Sequence, residues 1–250
     1  MVDFRNYEAM SFDCYGTLID WESGILDTLR AFRDGHGIEA SDAELLDCYA
    51  LAEARVQSGF YRPYKEVLRE VTKKIAAHFG VKGKFDEKAL CNSLPTWKPF
   101  EDTVPALRLL ARHFRIAVIS NIDDHLFART AEVLEVPFDW VITAQQVEAY
   151  KPALKNFYRA KDAMGVHPSR IVHVAQSRFH DVAPAKTLGW TAVWVDRARR
   201  VPDARRRESV DCRPDLTVPD LATLAGIVRG QRGEAPPRPE AAEFIIWGPN

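Results

Sequence analysis

Ala9-Met10-Ser11-Phe12-Asp13-Cys14-Tyr15-Gly16-Thr17-Leu18-Ile19-Asp20 decides how this chain is read. A short, partly apolar run, Ala9 to Phe12, delivers a carboxylate, Asp13, to the end of a predicted strand. A strand that ends in a carboxylate beside a tight turn holds a nucleophile rigidly in a crevice. Gly16 lets the backbone approach a ligand closely, and the Thr17 hydroxyl can orient a carboxylate oxygen. Taken alone, the stretch also fits a plain strand end and turn, so the rest of the chain has to decide.

Three further fragments follow in order. Arg115-Ile116-Ala117-Val118-Ile119-Ser120-Asn121 is a β-branched run that ends in two small polar residues. Ala149-Tyr150-Lys151-Pro152 sets a lysine just before a proline that is predicted to start a helix. Ile171-Val172-His173-Val174-Ala175-Gln176-Ser177-Arg178-Phe179-His180-Asp181 is another apolar run, ending in polar residues and a carboxylate. Together the four resemble the signature motifs of the haloacid dehalogenase (HAD) superfamily: the Asp nucleophile, the Ser/Thr, the Lys and the terminal acidic motif. The resemblance extends over about residues 8–225.

Length and composition bound the rest. A chain of 250 residues can bury a sizeable core and reads as one large domain or a domain with an insert. An apolar fraction of 46% and a charged fraction of 28% are ordinary for a globular protein. A net charge of −1 gives no reason to expect nucleic acid or an anionic membrane as partner. No apolar run reaches the roughly 18 residues of a membrane-spanning helix, and Met1-Val2-Asp3-Phe4-Arg5 has no signal-peptide character. Cys14, Cys48, Cys91 and Cys212 are widely spaced, without a C-x-x-C, and read as reduced thiols of a cytoplasmic protein. Cys14 reads as a packing residue beside Asp13 rather than a reactive thiol. Arg197-Ala198-Arg199-Arg200 and Arg205-Arg206-Arg207 make a basic loop, solvated or in contact with an anion or partner.

Residues 8–13, 115–120, 140–143, 171–175 and 191–195 read as buried parallel strands. Helical stretches at 103–113, 124–134, 152–164 and 181–188 alternate with the later ones. The expected fold is α/β, a doubly wound parallel sheet, in which ligands sit beyond the carboxyl ends of the strands. Asp13, Ser120, Lys151 and Gln176–Asp181 all fall at or just past such ends. Residues 20–97 break the alternation. Trp21–Gly35, Ala43–Ser58, Pro63–Phe79 and Asp86–Leu94 have helical apolar spacing. In terms of the resemblance this is a helical cap inserted after the first strand, closing over the crevice and excluding water. The core is then 1–19 and 98–232, and 233–250 is a proline-rich tail. Phe244-Ile245-Ile246-Trp247 has two docking places open to it, the body of the protein and a second subunit in a homodimer.

Two positions separate subfamilies. HAD phosphatases and mutases carry a second Asp two residues after the nucleophile, which protonates the leaving alcohol; here Tyr15 stands there. A halide leaves without a proton. The phosphatases resemble V-G-D-x-x-x-x-D at the fourth motif, where the first Asp binds Mg²⁺; here that residue is the uncharged Gln176, and Arg178 brings positive charge nearby. The expectation is a site without metal or cofactor, which resembles the 2-haloacid dehalogenases.

That resemblance implies a set of roles. Asp13 displaces halide from a small 2-haloacid, such as a haloacetate or 2-halopropionate, and forms a covalent ester. Thr17 orients Asp13, and Lys151 keeps it ionised. Ser120 and Asn121, with the backbone N–H groups of Cys14 and Tyr15, bind the substrate carboxylate. Asp181 orients Lys151 or activates the water that hydrolyses the ester, and Ser177 completes the polar network. His180 either takes a proton from that water or packs beside Asp181. Arg55 and Arg62 are the halide-site candidates. Phe60 and Tyr61, with Trp21 and Tyr64, either line the pocket or fill the cap core. A family tyrosine six residues after the lysine is Phe157 here, with Tyr158 beside it. The alternatives are the same chemistry on another small carboxylic acid, an unusual Mg²⁺-dependent phosphatase, and a binding protein that keeps the fold without catalysis.

Overall fold

The computed structural model describes residues 2–197 and 212–236. Residues 20–98 form one compact unit; residues 2–19, 99–197 and 212–236 form the other. The basic loop beyond Arg197, most of the proline-rich tail and Phe244–Trp247 lie outside the described residues.

The first unit is helical: α1 (Trp21–Gly35), α2 (Asp42–Gln57), α3 (Tyr64–His78) and the short α4 (Ala89–Ser93). Asp20 caps α1 by accepting a hydrogen bond from Ser23 N. Ser41 and Glu44 form a reciprocal capping box at the start of α2. The apolar stripes of α1, α2 and α3 bury Ile25, Leu29, Leu45, Tyr49, Val67, Leu68, Val71 and Ile75. Inside the unit, Glu53 accepts hydrogen bonds from Tyr49 (3.0 Å) and Tyr64 (2.7 Å). The last predicted helix, 86–94, is shorter than its spacing suggests. Only 89–93 is α-helical: residues 86–88 precede it as coil and turn, and Leu94–Thr96, which contains Pro95, follows as a 3₁₀ turn.

The second unit is built on a six-stranded sheet in the order β3-β2-β1-β4-β5-β6. The strands are β1 (Ala9–Phe12), β2 (Arg115–Ser120), β3 (Trp140–Thr143), β4 (Ile171–Ala175), β5 (Thr191–Val195) and β6 (Leu216–Val218). Every neighbouring pair is parallel. This is the expected doubly wound sheet. Its central strands are buried on both faces because helices cover both. The helices are α5 (Thr103–Leu110), α6 (Asp124–Leu134), α7 (Ala144–Val147), α8 (Leu154–Met164), α9 (Ala183–Thr187) and α10 (Leu221–Arg232). Phe157, Ala160 and Met164 of α8 join Ala185 and Trp190 in a cluster against Ala117, Ile119, Ile142 and Ala192 of the sheet. The strand order reverses between β1 and β4, so the crevice of such a sheet opens beyond their carboxyl ends.

The α/β unit departs from the sequence pattern at several places. The Lys151–Pro152 bond is cis, and α8 begins only at Leu154, so Pro152 belongs to a turn rather than to a helix start. The stretch predicted helical from 181 begins as a π-helical turn, Arg178–Val182, before α9 takes over. The helix predicted over 103–113 ends at Leu110. Strand β6 is too short, at three residues, to show a period. Among the described residues, no helix is long and apolar enough to cross a membrane.

Gly24 shows how closely the helical unit is packed. A Cβ there would lie 2.2 Å from Cδ1 of the buried Trp97 indole, whose Nε1 is tied to Ser93 Oγ at 3.2 Å. Alanine at an open helix position would gain about 1 kcal/mol over glycine. Overpacking costs about 1–3 kcal/mol, and the indole is pinned, so the steric cost should win. Gly24→Ala is expected to lower the urea midpoint. An unchanged or raised midpoint would show that Trp97 moves aside freely.

Candidate active site

Asp13 directly follows β1, and its N–H continues the ladder by donating to Val174 O at 3.1 Å. The chain then turns sharply. Cys14 O accepts hydrogen bonds from Thr17 N, Leu18 N and Ile19 N, and Gly16 takes φ +98°, which favours glycine. The turn brings Thr17 Oγ1 back to Asp13 Oδ2 at 2.7 Å. Thr17 Oγ1 in turn accepts a hydrogen bond from Gln176 N at 2.9 Å, tying the nucleophile loop to the end of β4.

Lys151 reaches the other carboxylate oxygen. Its ammonium is 3% exposed as a residue and donates to Asp13 Oδ1 (2.8 Å), Asp181 Oδ1 (2.6 Å) and Ile119 O (2.8 Å). An ammonium has three hydrogens, and each has an acceptor here. Burial opposes its charge, but the carboxylates of Asp13 and Asp181 carry its pKa above the usual lysine value. The carboxylates share this one cation unequally. Burial, reinforced by the negative charge of Asp181, raises Asp13 above an ordinary aspartate against the pull of Lys151 and Thr17. For Asp181 burial is outweighed by Lys151 and His173, and its pKa falls. Asp181 therefore holds its charge firmly. The two carboxylates and the Lys151 ammonium between them titrate as one unit.

The remaining predicted residues divide. Ser120, at the end of β2, is 1% exposed, and its buried Oγ has no hydrogen-bond partner among the described residues. A buried hydroxyl without a partner is costly unless a ligand completes it. Asn121, expected to face substrate, instead clamps the lysine loop. Its Oδ1 accepts from Lys151 N (2.7 Å) and its Nδ2 donates to Lys151 O (3.2 Å). Cys14 is fully buried, and burial pushes its thiol well above the ordinary value, which suits packing and not reactivity. Tyr15 hydrogen-bonds Thr130 Oγ1 of α6 at 2.7 Å.

Ser177 and His180 pair with each other, Oγ to Nδ1 at 3.1 Å, and Ser177 Oγ also accepts from His180 N. Ser177 caps the π-helical turn that carries Asp181. Arg178 does not bring charge to the site as expected. Its guanidinium lies 5.4 Å from the Trp194 ring centroid and donates to Cys212 O. Tyr158 is half exposed, while Phe157 is buried and packs edge-on against His173. Arg55, Phe60, Tyr61 and Arg62 lie in the helical unit. Arg55 is on the last turn of α2 and the others on the link to α3, with Phe60 almost fully exposed.

Two residues that the sequence pattern does not single out also support the site. His173, inside β4, hydrogen-bonds Asp181 Oδ1 at 3.1 Å and Ser11 Oγ at 2.9 Å. Arg197, read as the first residue of a solvated loop, braces the nucleophile turn. It donates to Thr17 O at 2.8 Å, pairs with Asp102 and stacks over Phe100. The only sequence signal for His173 was a titratable residue in an apolar strand. For Arg197 there was none.

The donor set does not fit a divalent cation. Gln176, uncharged, stands where a carboxylate would be needed to supplement Asp13. Among the described residues, no group of three His, Cys, Asp or Glu could hold a metal ion. What the geometry can do is deliver an ionised carboxylate, pinned through both oxygens, next to a second carboxylate that stays charged.

Residues 7–189 match the family model described as haloacid dehalogenase-like hydrolase. An (S)-2-haloacid dehalogenase of Xanthobacter autotrophicus is 27% identical, over 90% of this chain and 96% of its own. Haloacetate dehalogenase H-2 of Moraxella sp. (strain B) is 26% identical, over 90% of this chain and 99% of its own. A solved structure of the L-2-haloacid dehalogenase from Xanthobacter autotrophicus, with chloropropionic acid covalently bound, superposes with a TM-score of 0.75. It is 22% identical and covers 90% of this chain and 99% of that one.

The charge arrangement has a stability consequence. Lys151→Ala leaves two buried carboxylates uncompensated, and breaking such a pair costs about 3–5 kcal/mol. The urea midpoint at neutral pH should fall accordingly. The deficit should shrink as the pH drops, because without the cation burial raises both folded-state pKa values and protonation relieves the repulsion. A deficit that grows at acid pH, or none at all, would contradict this charge assignment. Asp13→Asn removes a carboxylate that burial already disfavours and should not destabilise the fold.

Proposed function

Because the chain belongs to the haloacid dehalogenase-like hydrolases, we propose that it hydrolyses the carbon–halogen bond of small 2-haloacids through an ester on Asp13. The observation that carries this reading is the buried Asp13 carboxylate, held at Oδ1 by Lys151 and at Oδ2 by Thr17. The names of the relatives support the substrate class.

The proposed reaction has two halves. An oxygen of Asp13 attacks C2 of the substrate, the C2–O bond forms, and the halide leaves with the electrons of the broken bond. Lys151 holds the carboxylate in the attacking geometry. The buried Ser120 hydroxyl donates to the substrate carboxylate and so fixes which face of C2 meets Asp13. Water then attacks the ester carbonyl carbon, with Asp181 taking its proton. The alkoxide leaves as the 2-hydroxy acid after receiving that proton, and Asp13 returns to its carboxylate by losing a proton to solvent. C2 is displaced once, so its configuration inverts. We assign substrate selection to the helical unit, through Arg55, Phe60, Tyr61 and Arg62.

Single turnover with excess enzyme in ¹⁸O water tests the ester. The hydroxyl oxygen of the first product comes from Asp13, so it should be light, and the label should appear in the Asp13 side chain. Label in the first-turnover product would mean direct attack by water.

The competing phosphatase reading needs Mg²⁺, and the uncharged Gln176 stands where that reading calls for a metal-binding carboxylate. Halide release from 2-chloropropionate should survive exhaustive dialysis against chelator. A loss of activity that Mg²⁺ restores would move the chain to the metal-dependent branch.

A further inference from the structure

Ser11 and His173 have no part in the reaction as written above, yet they connect directly to it. They are register partners in the parallel pair β1–β4, and both are fully buried. Ser11 lies two residues before Asp13, so the pleat turns both side chains to one face of the sheet. His173 Nδ1 is 2.9 Å from Ser11 Oγ, and Nε2 is 3.1 Å from Asp181 Oδ1. The Ser11 hydroxyl has one hydrogen, and its other acceptor, Val172 O, is farther away at 3.4 Å. Ser11 therefore donates to Nδ1, which leaves the ring proton on Nε2, and Nε2–H donates to Asp181.

The rest of the imidazole is enclosed by apolar rings. Phe157 lies edge-on at 5.3 Å and Trp190 at 6.3 Å. A histidine kept only to fill the core would satisfy its nitrogens on nearby main chain. Here both nitrogens reach side chains, one of them the carboxylate that shares Lys151 with the nucleophile. Lys151 and His173 both donate to Oδ1 of Asp181. Two donors on one oxygen fix the rotation of the carboxylate, and neither uses Oδ2.

We propose that His173 is a positioning residue for the second half-reaction: through Nε2–H it holds Asp181 so that Oδ2 faces the hydrolytic water, with Ser11 setting the tautomer. This rests on the ester reading above. The proton of the water passes to Oδ2 and on to the departing alkoxide, while His173 keeps its own proton throughout. Attack on C2 needs Asp13 and Lys151 but no proton acceptor, so the first half-reaction should not depend on His173.

The test is rapid-quench kinetics with (S)-2-chloropropionate, following halide and 2-hydroxy acid over the first turnovers. His173→Leu should release one halide per enzyme at close to the wild-type rate. It should then form product about ten- to a hundredfold more slowly. His173→Gln, which keeps an N–H donor near the place of Nε2, should recover most of the second rate, and Ser11→Ala should slow it less than His173→Leu does. Equal slowing of both halves, an unchanged second half, or no recovery by glutamine would overturn the proposal. Should the leucine variant not fold, the glutamine and Ser11→Ala variants decide: wild-type ester hydrolysis in Ser11→Ala would overturn it. Absence of halide release by the wild-type protein is a separate outcome, which overturns the ester reading beneath and this inference with it.

Discussion

One ammonium group organises the α/β unit. Lys151 Nζ is buried, and its three hydrogens go to Asp13, Asp181 and a main-chain carbonyl at the end of β2. Those acceptors come from three separate segments: the turn after β1, the turn after β4, and β2 itself. Burying two carboxylates with one cation leaves a net negative cluster in a low-dielectric interior, which is tolerable only with every donor well placed. Much of the neighbouring structure supplies that placement. Asn121 clamps the main chain of Lys151 on both its N–H and its C=O. Thr17 and Gln176 tie the nucleophile turn to β4. Arg197 and Asp102 brace the same turn from behind. Such an arrangement costs stability, and its placement at the strand ends of a rigid sheet fits a functional site more than a strut.

The strands were legible because each is a short β-branched or apolar run, and a parallel sheet buried on both faces requires that pattern. Their carboxyl ends are legible for the same reason, and Asp13, Ser120, Lys151 and Asp181 all fall at or just past them. The partners were not legible. An asparagine after a strand reads as a ligand donor until its distance to Lys151 is known. Ser177 and His180, three apart, pair locally through a π-helical turn that sequence spacing does not announce. Arg178 looked like charge near the site, yet stacking on Trp194 draws its guanidinium away. His173 hid in an apolar run because strand pairing, which the sequence does not print, is what sets it against Ser11.

The same logic separates the chemistry of this site from that of metal-dependent relatives. A phosphoryl group arrives with charge that a cation must neutralise, and its leaving alcohol needs a proton. Tyr15 is committed to Thr130 on α6, and burial pushes its phenol well above the ordinary value, so it is a poor acid or ligand here. Gln176 is tied through its main chain, its N–H to Thr17 and its carbonyl to the Trp194 indole. What remains is a carboxylate that burial makes basic and an ammonium that keeps it oriented. That pair suits displacement of a leaving group that departs as a stable anion.

The proposed ester on Asp13 is the point on which the rest depends, and it is open to direct capture. Wild-type protein mixed with (S)-2-chloropropionate and quenched in acid within the first turnover should carry one carboxyethyl group, and peptide mapping by mass spectrometry should place it on Asp13. Protein that turns over substrate without any adduct, or with the adduct on Cys14 or another side chain, would contradict the mechanism.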